Sequence, residues 1–281
     1  MPLYQAIVLA IVQGLTEFLP VSSTAHLWLV PWIFKWKDPG LTFDVALHAG
    51  TLVAVLVYFW RYWLEMIKMV LGMSEGSDGA PAQASSIALL GENRKLFWCL
   101  VIATIPGGIA GVLFERAADE KLRSPLIVGT ALIVVGLVMW AGERMGRREV
   151  SLGQVGLLDS IIVGAAQAFS VIPGVSRSGS TMAAGLFRGM NRETAARFSF
   201  LLATPLVAGA CLKKGLEIHH HGLPADMRLP FVVGIIVSAL VGYTVIAALI
   251  RYLERQTFTI FVVYRVILGV VLLAVGWGLR H

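Results

Sequence analysis

The chain has 281 residues, of which 57% are hydrophobic and only 14% are charged. A soluble domain is about half apolar and roughly a quarter charged, so the composition excludes an ordinary soluble enzyme and indicates an integral membrane protein. The formal net charge of +6 does not indicate nucleic-acid binding, because the basic residues stand in short segments beside apolar runs, where membrane proteins carry them.

The first element is an apolar segment that leads into a hydroxyl-rich segment. The run Pro2 to Gln13 has no Lys or Arg before it, unlike a cleaved signal peptide, so we expect it to stay in the mature fold. After QGLTEFLPVSSTAHL (Gln13 to Leu27), the apolar run Leu27 to Phe34 has eight residues. As a helix it covers about 12 Å of a hydrocarbon core of roughly 30 Å, too little to span. We predict a re-entrant helix-loop-helix hairpin at residues 2–34.

Six further apolar runs approach the roughly 20 residues that a helix needs to cross a bilayer. They are Leu41 to Trp60, Leu96 to Phe114, Leu126 to Ala141, Phe198 to Leu212, Pro230 to Ile250 and Phe258 to Leu279. Polar joints are predicted between them at Met73 to Ser86, Glu115 to Ser124, Gly142 to Ser151 and Lys213 to Leu229. The last joint contains His219, His220 and His221, which we interpret as an adventitious loop cluster, since adjacent loop residues seldom converge on one metal ion.

The second half of the chain resembles the first. QAFSVIPGVSRSGST (Gln167 to Thr181) corresponds to QGLTEFLPVSSTAHL, and FSFLLATPLVAG from Phe198 corresponds to FDVALHAGTLVA from Phe43. We predict one membrane domain, 1–281, built from repeats 1–150 and 151–281, with a second re-entrant hairpin at 153–189. Three spans follow the first hairpin, so the second repeat begins on the opposite face and is inverted. The predicted fold is an all-α polytopic membrane protein: an inverted-topology repeat with two re-entrant hairpins and six full transmembrane helices.

The second hydroxyl-rich loop has the composition of a phosphate site. An arginine at membrane depth, Arg177, costs several kcal/mol unless it is paired with an anion, so it marks a functional site by default. Pro173 and Gly174 break the preceding helix, and Gly179 is expected to free backbone amides to point at one spot. Hydroxyl groups and the N-terminus of the next half-helix add further donors. The substrate-binding residues predicted here are Gly174, Ser176, Arg177, Ser178 and Thr181.

The first loop supplies a carboxylate and candidate nucleophiles. Gln13 and Glu17 are four residues apart, so they share one face of the entering helix, and both offer oxygen atoms. Hard oxygen ligands suit Mg²⁺ or Ca²⁺, so we predict a divalent cation at Glu17 and Gln13. A hydroxyl and an imidazole follow within a few residues, as a nucleophile and its base or as a general acid require. The residues concerned are Ser22, Ser23, Thr24 and His26.

These two loops resemble the signature regions of the undecaprenyl pyrophosphate phosphatase family, also called the bacitracin-resistance proteins. The resemblance extends through FDVALHAGTLVAV, ATIPGGIAG, RFSFLLATP and VYRVILG, so it covers nearly the whole chain. It implies an enzyme that hydrolyses undecaprenyl pyrophosphate, released by peptidoglycan polymerisation, to the monophosphate carrier, and it implies the inverted-repeat fold. The chain departs from the family pattern at Gln13, where many members have Glu, and at Arg197, where we expect an acidic or neutral residue.

The resemblance assigns the acidic motif to Gln13 and Glu17, the serine and histidine region to residues 22–26, and the arginine loop to residues 176–181. We expect Arg177 to clamp the pyrophosphate while a divalent cation near Glu17 neutralises charge on the bridging oxygen. Three nucleophiles fit the sequence: Ser23 assisted by His26, which we place first, His26 itself, and water activated by His26. The predicted catalytic residues are Ser23, His26, Glu17 and Arg177, with Ser22 and Thr24 binding substrate.

A lipid-phosphate transporter or flippase is the alternative, because inverted re-entrant repeats with a charged midplane site are also a transporter architecture. An ion channel is less consistent, since no ring of acidic residues is evident. The expected partners are a long-chain isoprenyl pyrophosphate and membrane lipids, with no nucleic acid, and a homodimer is compatible with the sequence. We expect a multi-pass protein of the bacterial inner (plasma) membrane.

The basic residues give a small bias between the two faces of the membrane. Those on the face predicted to be cytoplasmic are Arg144, Arg147, Arg148, Arg188, Arg192, Arg251 and Arg255. Those on the other face are Lys35, Lys37, Lys213, Lys214 and Arg280. The active site is then expected to face the periplasm or the outer face, as the family resemblance also implies.

Overall fold

The protein is all-helical in the part of the chain that the structure describes. The structure is a computed structural model and describes residues 1–71, 93–122 and 124–278. Eleven helices lie in these ranges. They are α1 (Leu3–Phe18), α2 (Ser23–Phe34), α3 (Leu41–Tyr58), α4 (Trp60–Val70), α5 (Asn93–Lys121), α6 (Pro125–Met145), α7 (Leu157–Ala168), α8 (Arg177–Phe187), α9 (Arg192–His221), α10 (Ala225–Leu253) and α11 (Thr259–Gly278). The predicted all-α class is confirmed.

Six helices within the described ranges are long and apolar enough to cross a membrane, which confirms the predicted number of spans. The segments are Leu41–Tyr58, Lys95–Phe114, Pro125–Met145, Arg192–His221, Ala225–Leu253 and Thr259–Trp277. Their outer faces are apolar: Leu113, Leu240 and Ile267 each expose 60% or more of their surface. Contiguous apolar surface of this kind is stable only when lipid or protein covers it, so the chain is a multi-pass membrane protein.

Two of the predicted joints are wrong. α5 continues to Lys121 and α9 to His221, although loops were predicted at Glu115 to Ser124 and at Lys213 to Leu229. A helix satisfies its own backbone hydrogen bonds, so a span can extend past the apolar run into its charged flank without losing them. His219, His220 and His221 accordingly occupy the last turn of α9. The predicted loop at Met73 to Ser86 lies outside the described residues.

The shorter apolar helices form two helix-loop-helix pairs, α1 with α2 and α7 with α8. They have 16, 12, 12 and 11 residues. At about 1.5 Å per residue each is shorter than a hydrocarbon core of roughly 30 Å, so the lengths fit the predicted re-entrant hairpins.

The two polar loops end in the same local structure, one turn earlier than predicted. Ser22 and Ser176 have φ values of 76° and 69°, and their hydroxyls accept hydrogen bonds from the amides of Ala25 and Gly179. A serine in this position is a helix N-cap, so α2 and α8 begin at Ser23 and Arg177 rather than at the apolar residues that follow. Most of the predicted loop residues therefore lie in the first turn of a helix.

Each hairpin packs against a span from the other half of the chain. α1 lies along α10 and α7 lies along α5, while α6 packs on α11. The helices approach closely at glycines: a Cβ on Gly14 would lie 2.7 Å from the Cβ of Val241, and one on Gly164 would lie 2.5 Å from the carbonyl oxygen of Ala103. Because each hairpin packs on the other half of the chain, the two polar loops come together in the interior. The repeat boundaries, 1–150 and 151–281, stay a prediction.

Candidate active site

The carboxylate of Glu17 is the centre of a polar cluster formed by both hairpins. Its Oε1 accepts a hydrogen bond from Nη2 of Arg177 at 2.9 Å. Its Oε2 accepts from Oγ of Ser23 at 2.5 Å and from Nε2 of Gln13 at 3.1 Å. Both oxygens are therefore hydrogen-bonded, as a buried carboxylate requires. The predicted shared face of Gln13 and Glu17 is present, and the two polar loops meet at this carboxylate.

Arg177 offers a free donor at this cluster. Its side chain is 10% exposed, and while Nη2 binds Glu17, Nη1 is buried with no hydrogen-bond partner in the described part of the protein. Leaving a buried donor unpaired is unfavourable, particularly on a charged group. The free Nη1 is thus suited to an anionic oxygen supplied by a ligand.

The remaining hydroxyls of the second loop mainly connect parts of the protein. Ser178 donates from Oγ to the carbonyl oxygen of Leu19 at 3.2 Å, which links α8 to the first loop. Thr181 shares a hydrogen bond of 2.6 Å with Ser199 on α9.

Thr24, in the first loop, is exposed, and its hydroxyl lies 3.1 Å from the hydroxyl of Ser22.

Of the two glycines singled out in the second loop, Gly179 has a different role from the one predicted. Gly174 has a φ of +94°, a conformation that residues with a Cβ rarely adopt. Gly179, which was expected to free the backbone, lies in regular helix in α8 instead. A Cβ there would lie 3.1 Å from Nη1 of Arg265, so Gly179 provides space rather than conformational freedom.

His26 contacts Tyr264 on α11. Its Nδ1 lies 2.7 Å from the carbonyl oxygen of Ser22, so that nitrogen donates, and its Nε2 lies 2.6 Å from the hydroxyl of Tyr264. The two rings also stack, with centroids 5.7 Å apart. Both ring nitrogens have partners, and the Ser23 hydroxyl donates to Glu17. The predicted assistance of Ser23 by His26 stays a prediction.

Arg265, in α11, was not among the predicted site residues. It is fully buried, and its guanidinium donates only to backbone carbonyls among the described residues. The acceptors are Pro20, Ala131, Leu132, Gly174 and Val175. Pro20 belongs to the first loop, and Gly174 and Val175 belong to the second, so one side chain ties the two loops together. The signal was available, because an arginine within the run Phe258 to Leu279 is as costly as Arg177.

His48, in α3, was also missed. Its Nε2 lies 3.4 Å from Oε2 of Glu17, and its Nδ1 lies 2.7 Å from the carbonyl oxygen of Asp44. A histidine within the apolar run Leu41 to Trp60 was the available signal. The carboxylate of Glu17 thus has four polar neighbours.

Comparison with known proteins places the chain in a family. It matches the family model described as bacitracin resistance protein BacA over residues 6–271. The chain belongs to this family. Relatives named undecaprenyl-diphosphatase include those of Moorella thermoacetica, 49% identical over 99% of both chains, and Desulforudis audaxviator, 47% identical over 97% of both. The relative from Thermomicrobium roseum is 47% identical over 98% of both chains. The family resemblance inferred from the two loops is confirmed.

A divalent cation fits this member of the bacitracin-resistance family at Glu17 and Gln13. The Oε1 of Gln13 is buried and has no hydrogen-bond partner in the described residues, so an oxygen ligand is free beside the carboxylate. No group of three or more His, Cys, Asp or Glu side chains that could hold a metal occurs in the described ranges. Mg²⁺ at phosphate sites commonly uses one or two protein oxygens together with water and substrate oxygens. The Mg²⁺ or Ca²⁺ ion stays a prediction, with the oxygen atoms of Glu17 and Gln13 as its expected ligands.

An apolar groove of about 940 Å³ adjoins the second loop of this family member. It lies between α6, α7 and α8, and Val134, Phe169 and Phe187 are among the residues that line it. Val175 and Ser180, which flank Arg177 in the sequence, also line the groove. An apolar surface therefore reaches the helix turn that carries Arg177.

Proposed function

We propose that this chain hydrolyses undecaprenyl diphosphate to undecaprenyl phosphate and inorganic phosphate, and so recycles the lipid carrier of cell-wall synthesis and confers bacitracin resistance. The observation that carries the proposal is the contact of one buried carboxylate, Glu17, with both the Ser23 hydroxyl and the Arg177 guanidinium. A hydroxyl, a base and a cation in direct contact are the groups that phosphoryl transfer needs. The names of the relatives support the same substrate.

The diphosphate would bind between the N-termini of two helices. α2 begins at Ser23 and α8 begins at Arg177, so both helices direct the positive ends of their dipoles toward the cluster. The buried Nη1 of Arg177 adds a charged donor for a phosphate oxygen. A divalent cation held by Glu17 and Gln13, when bound, would supply electrostatic stabilisation of the charge that develops on the bridging oxygen.

Hydrolysis then proceeds in two steps. Oε2 of Glu17 accepts the proton of the Ser23 hydroxyl as Oγ attacks the terminal phosphorus, and the bond from that phosphorus to the bridging oxygen breaks. The isoprenyl monophosphate leaves with the bridging oxygen and its electron pair. The departing monophosphate takes up the proton that Glu17 accepted, so Glu17 is again a carboxylate. Glu17 then accepts a proton from a water molecule that attacks the phosphoserine, and it passes this proton to Oγ of Ser23 as the bond between phosphorus and Oγ breaks, which releases inorganic phosphate and the Ser23 hydroxyl. Direct attack by water with Glu17 as base is the competing form of the same reaction.

The isoprenyl chain would remain in apolar surroundings. The groove between α6, α7 and α8 offers an apolar surface beside the turn of Arg177, and lipid covers the rest of the exposed apolar surface. Headgroup contacts, rather than recognition of the tail, would determine the chemistry.

The site would face the periplasm of a bacterial inner membrane, or the outer face. Arg148 and Arg192 both pair with Glu143, so the segments that carry these arginines meet at one end of the molecule. By the positive-inside rule this end is cytoplasmic. The other end contains the N-terminus, whose ammonium lies 3.4 Å from Asp226.

Phosphate release by the purified protein tests the function. A long-chain isoprenyl diphosphate in detergent micelles, with Mg²⁺ or Ca²⁺, is expected to yield one phosphate per lipid. Absence of release, combined with transfer of an isoprenyl phosphate across the bilayer of proteoliposomes, would favour the flippase alternative instead.

The substitution Gln13→Glu tests the cation site. Gln13 donates to Glu17, and a second carboxylate at this position would instead repel Glu17 unless a cation lies between them. We expect the variant to remain active with Mg²⁺ present and to depend on the ion more strongly than the wild type. Rates measured across a Mg²⁺ titration with a chelator control check this. An inactive variant at every concentration would indicate that the amide donor of Gln13 is required and would contradict the cation site.

A further inference from the structure

His48 has a fixed orientation beside the carboxylate that acts on Ser23. Its Nδ1 lies 2.7 Å from the carbonyl oxygen of Asp44, one turn earlier in α3. A carbonyl oxygen and a carboxylate oxygen only accept, so both ring nitrogens of His48 donate, as in the imidazolium form, and the Nδ1 hydrogen bond directs Nε2 at Glu17. Nε2 lies 3.4 Å from Oε2 of Glu17, the same oxygen that accepts from Ser23.

The terminal torsion of a glutamate is soft, so its hydrogen-bond partners determine the plane of the carboxylate. Arg177 holds Oε1, while Ser23, Gln13 and His48 surround Oε2. The Ser23 bond is the one that changes during the reaction, because its proton moves to Glu17. His48 is therefore suited to hold Oε2 in place while the Ser23 bond breaks and re-forms.

The internal repeat gives an independent indication. When QGLTEFLPVSSTAHL is aligned with QAFSVIPGVSRSGST, Glu17 corresponds to Val171. When FDVALHAGTLVA is aligned with FSFLLATPLVAG, His48 corresponds to Ala203. The half that carries the carboxylate also carries the imidazole, and the half that lacks one lacks the other. A residue needed only for packing α3 would have no reason to accompany Glu17.

We propose that His48 is a positioning residue for hydrolysis: it acts through Glu17 by holding Oε2 toward the Ser23 hydroxyl. The inference rests on the proposed function and adds to it a residue outside the two hairpins. Because the role requires a donor directed at Oε2, a glutamine, whose amide nitrogen has similar reach, should substitute for it better than a leucine of similar size.

The test compares His48→Leu and His48→Gln with a matched control, His219→Leu, which removes an exposed histidine at the end of α9. Steady-state phosphate release from a long-chain isoprenyl diphosphate gives kcat and KM. We expect His48→Leu to lower kcat about 10-fold or more with KM within about twofold, the size of effect that misplacement of a reacting group produces. His48→Gln should recover most of the lost kcat, and His219→Leu should match the wild type.

A double substitution separates positioning from a structural role. Once Glu17→Ala has removed the carboxylate, adding His48→Leu should reduce the residual rate less than about twofold, because residues that act as a unit are not additive. Full kcat in His48→Leu, a glutamine as poor as leucine, or additive losses in the double variant would each overturn the inference. If the wild type itself releases no phosphate, it is the proposed function that fails.

Discussion

Replacing Ser23 by alanine is expected to lower the rate of phosphate release at least about 1,000-fold, the scale of loss when an enzymatic nucleophile is removed. The hydroxyl lies 2.5 Å from its base, Oε2 of Glu17, at the first residue of α2. Its removal leaves Arg177 and both helix N-termini in place, so binding should change much less than turnover. Rates and KM of purified Ser23→Ala check this, and Thr244→Ala, at an exposed threonine on α10, is the matched control.

The same variant distinguishes the nucleophiles that the sequence left open. Rapid quenching with substrate labelled at the terminal phosphorus should trap a phosphoserine in the wild type and none in Ser23→Ala. If Ser23→Ala keeps more than about a tenth of wild-type turnover, water activated by Glu17 is the nucleophile. A phosphohistidine at His26 would require the Tyr264 hydroxyl to release Nε2 of His26. Its detection would contradict attack by Ser23.

Replacing Arg177 by alanine is expected to cost at least about 100-fold in turnover, as the loss of an electrostatic stabiliser does. Glu17→Ala should cost at least as much, because it removes the base and leaves the Arg177 guanidinium buried without its 2.9 Å partner. The combined variant should lose much less than the product of the two single losses, since each substitution already breaks the same pair.

The control for these variants is Arg255→Ala, which removes an exposed arginine near the end of α10. Phosphate release and the elution profile of each purified variant in detergent separate loss of chemistry from loss of folding. Wild-type turnover in a folded Arg177→Ala protein would show that the pocket is misplaced.

The number of spans was predictable because apolar length alone determines which helices can cross a bilayer. Their ends were not, because nothing in the composition of Lys213 to His221 prevents a helix from continuing into water. The starts of α2 and α8 were also not predicted. Ser22 and Ser176 are N-caps at positive φ, and a hydroxyl-rich composition alone does not show which serine caps a helix.

The meeting of Glu17 and Arg177, 160 residues apart, can be inferred from the internal repeat, because an inverted repeat would direct the loops of both hairpins toward the middle of the membrane. The environment of His26 was not predictable from the sequence. Its partner, Tyr264, lies 238 residues away in α11, which belongs to neither hairpin. Sequence proximity to Ser23 favoured the histidine as base, whereas the folded chain gives that contact to Glu17. Arg265 and His48 were both visible as polar residues in apolar runs, but their partners depend on tertiary packing.

Arg265 also has a consequence for the order in which the protein is completed. Glu17, Ser23 and Arg177 are all synthesised before the last helix, yet the guanidinium that joins Pro20 to Gly174 and Val175 belongs to that helix. A nascent chain that stops before Thr259 would contain Glu17, Ser23 and Arg177 but would lack the guanidinium that joins Pro20 to Gly174 and Val175. The hydrogen bonds from Arg265 to both loops can thus form only after the final helix has been synthesised and has packed against them.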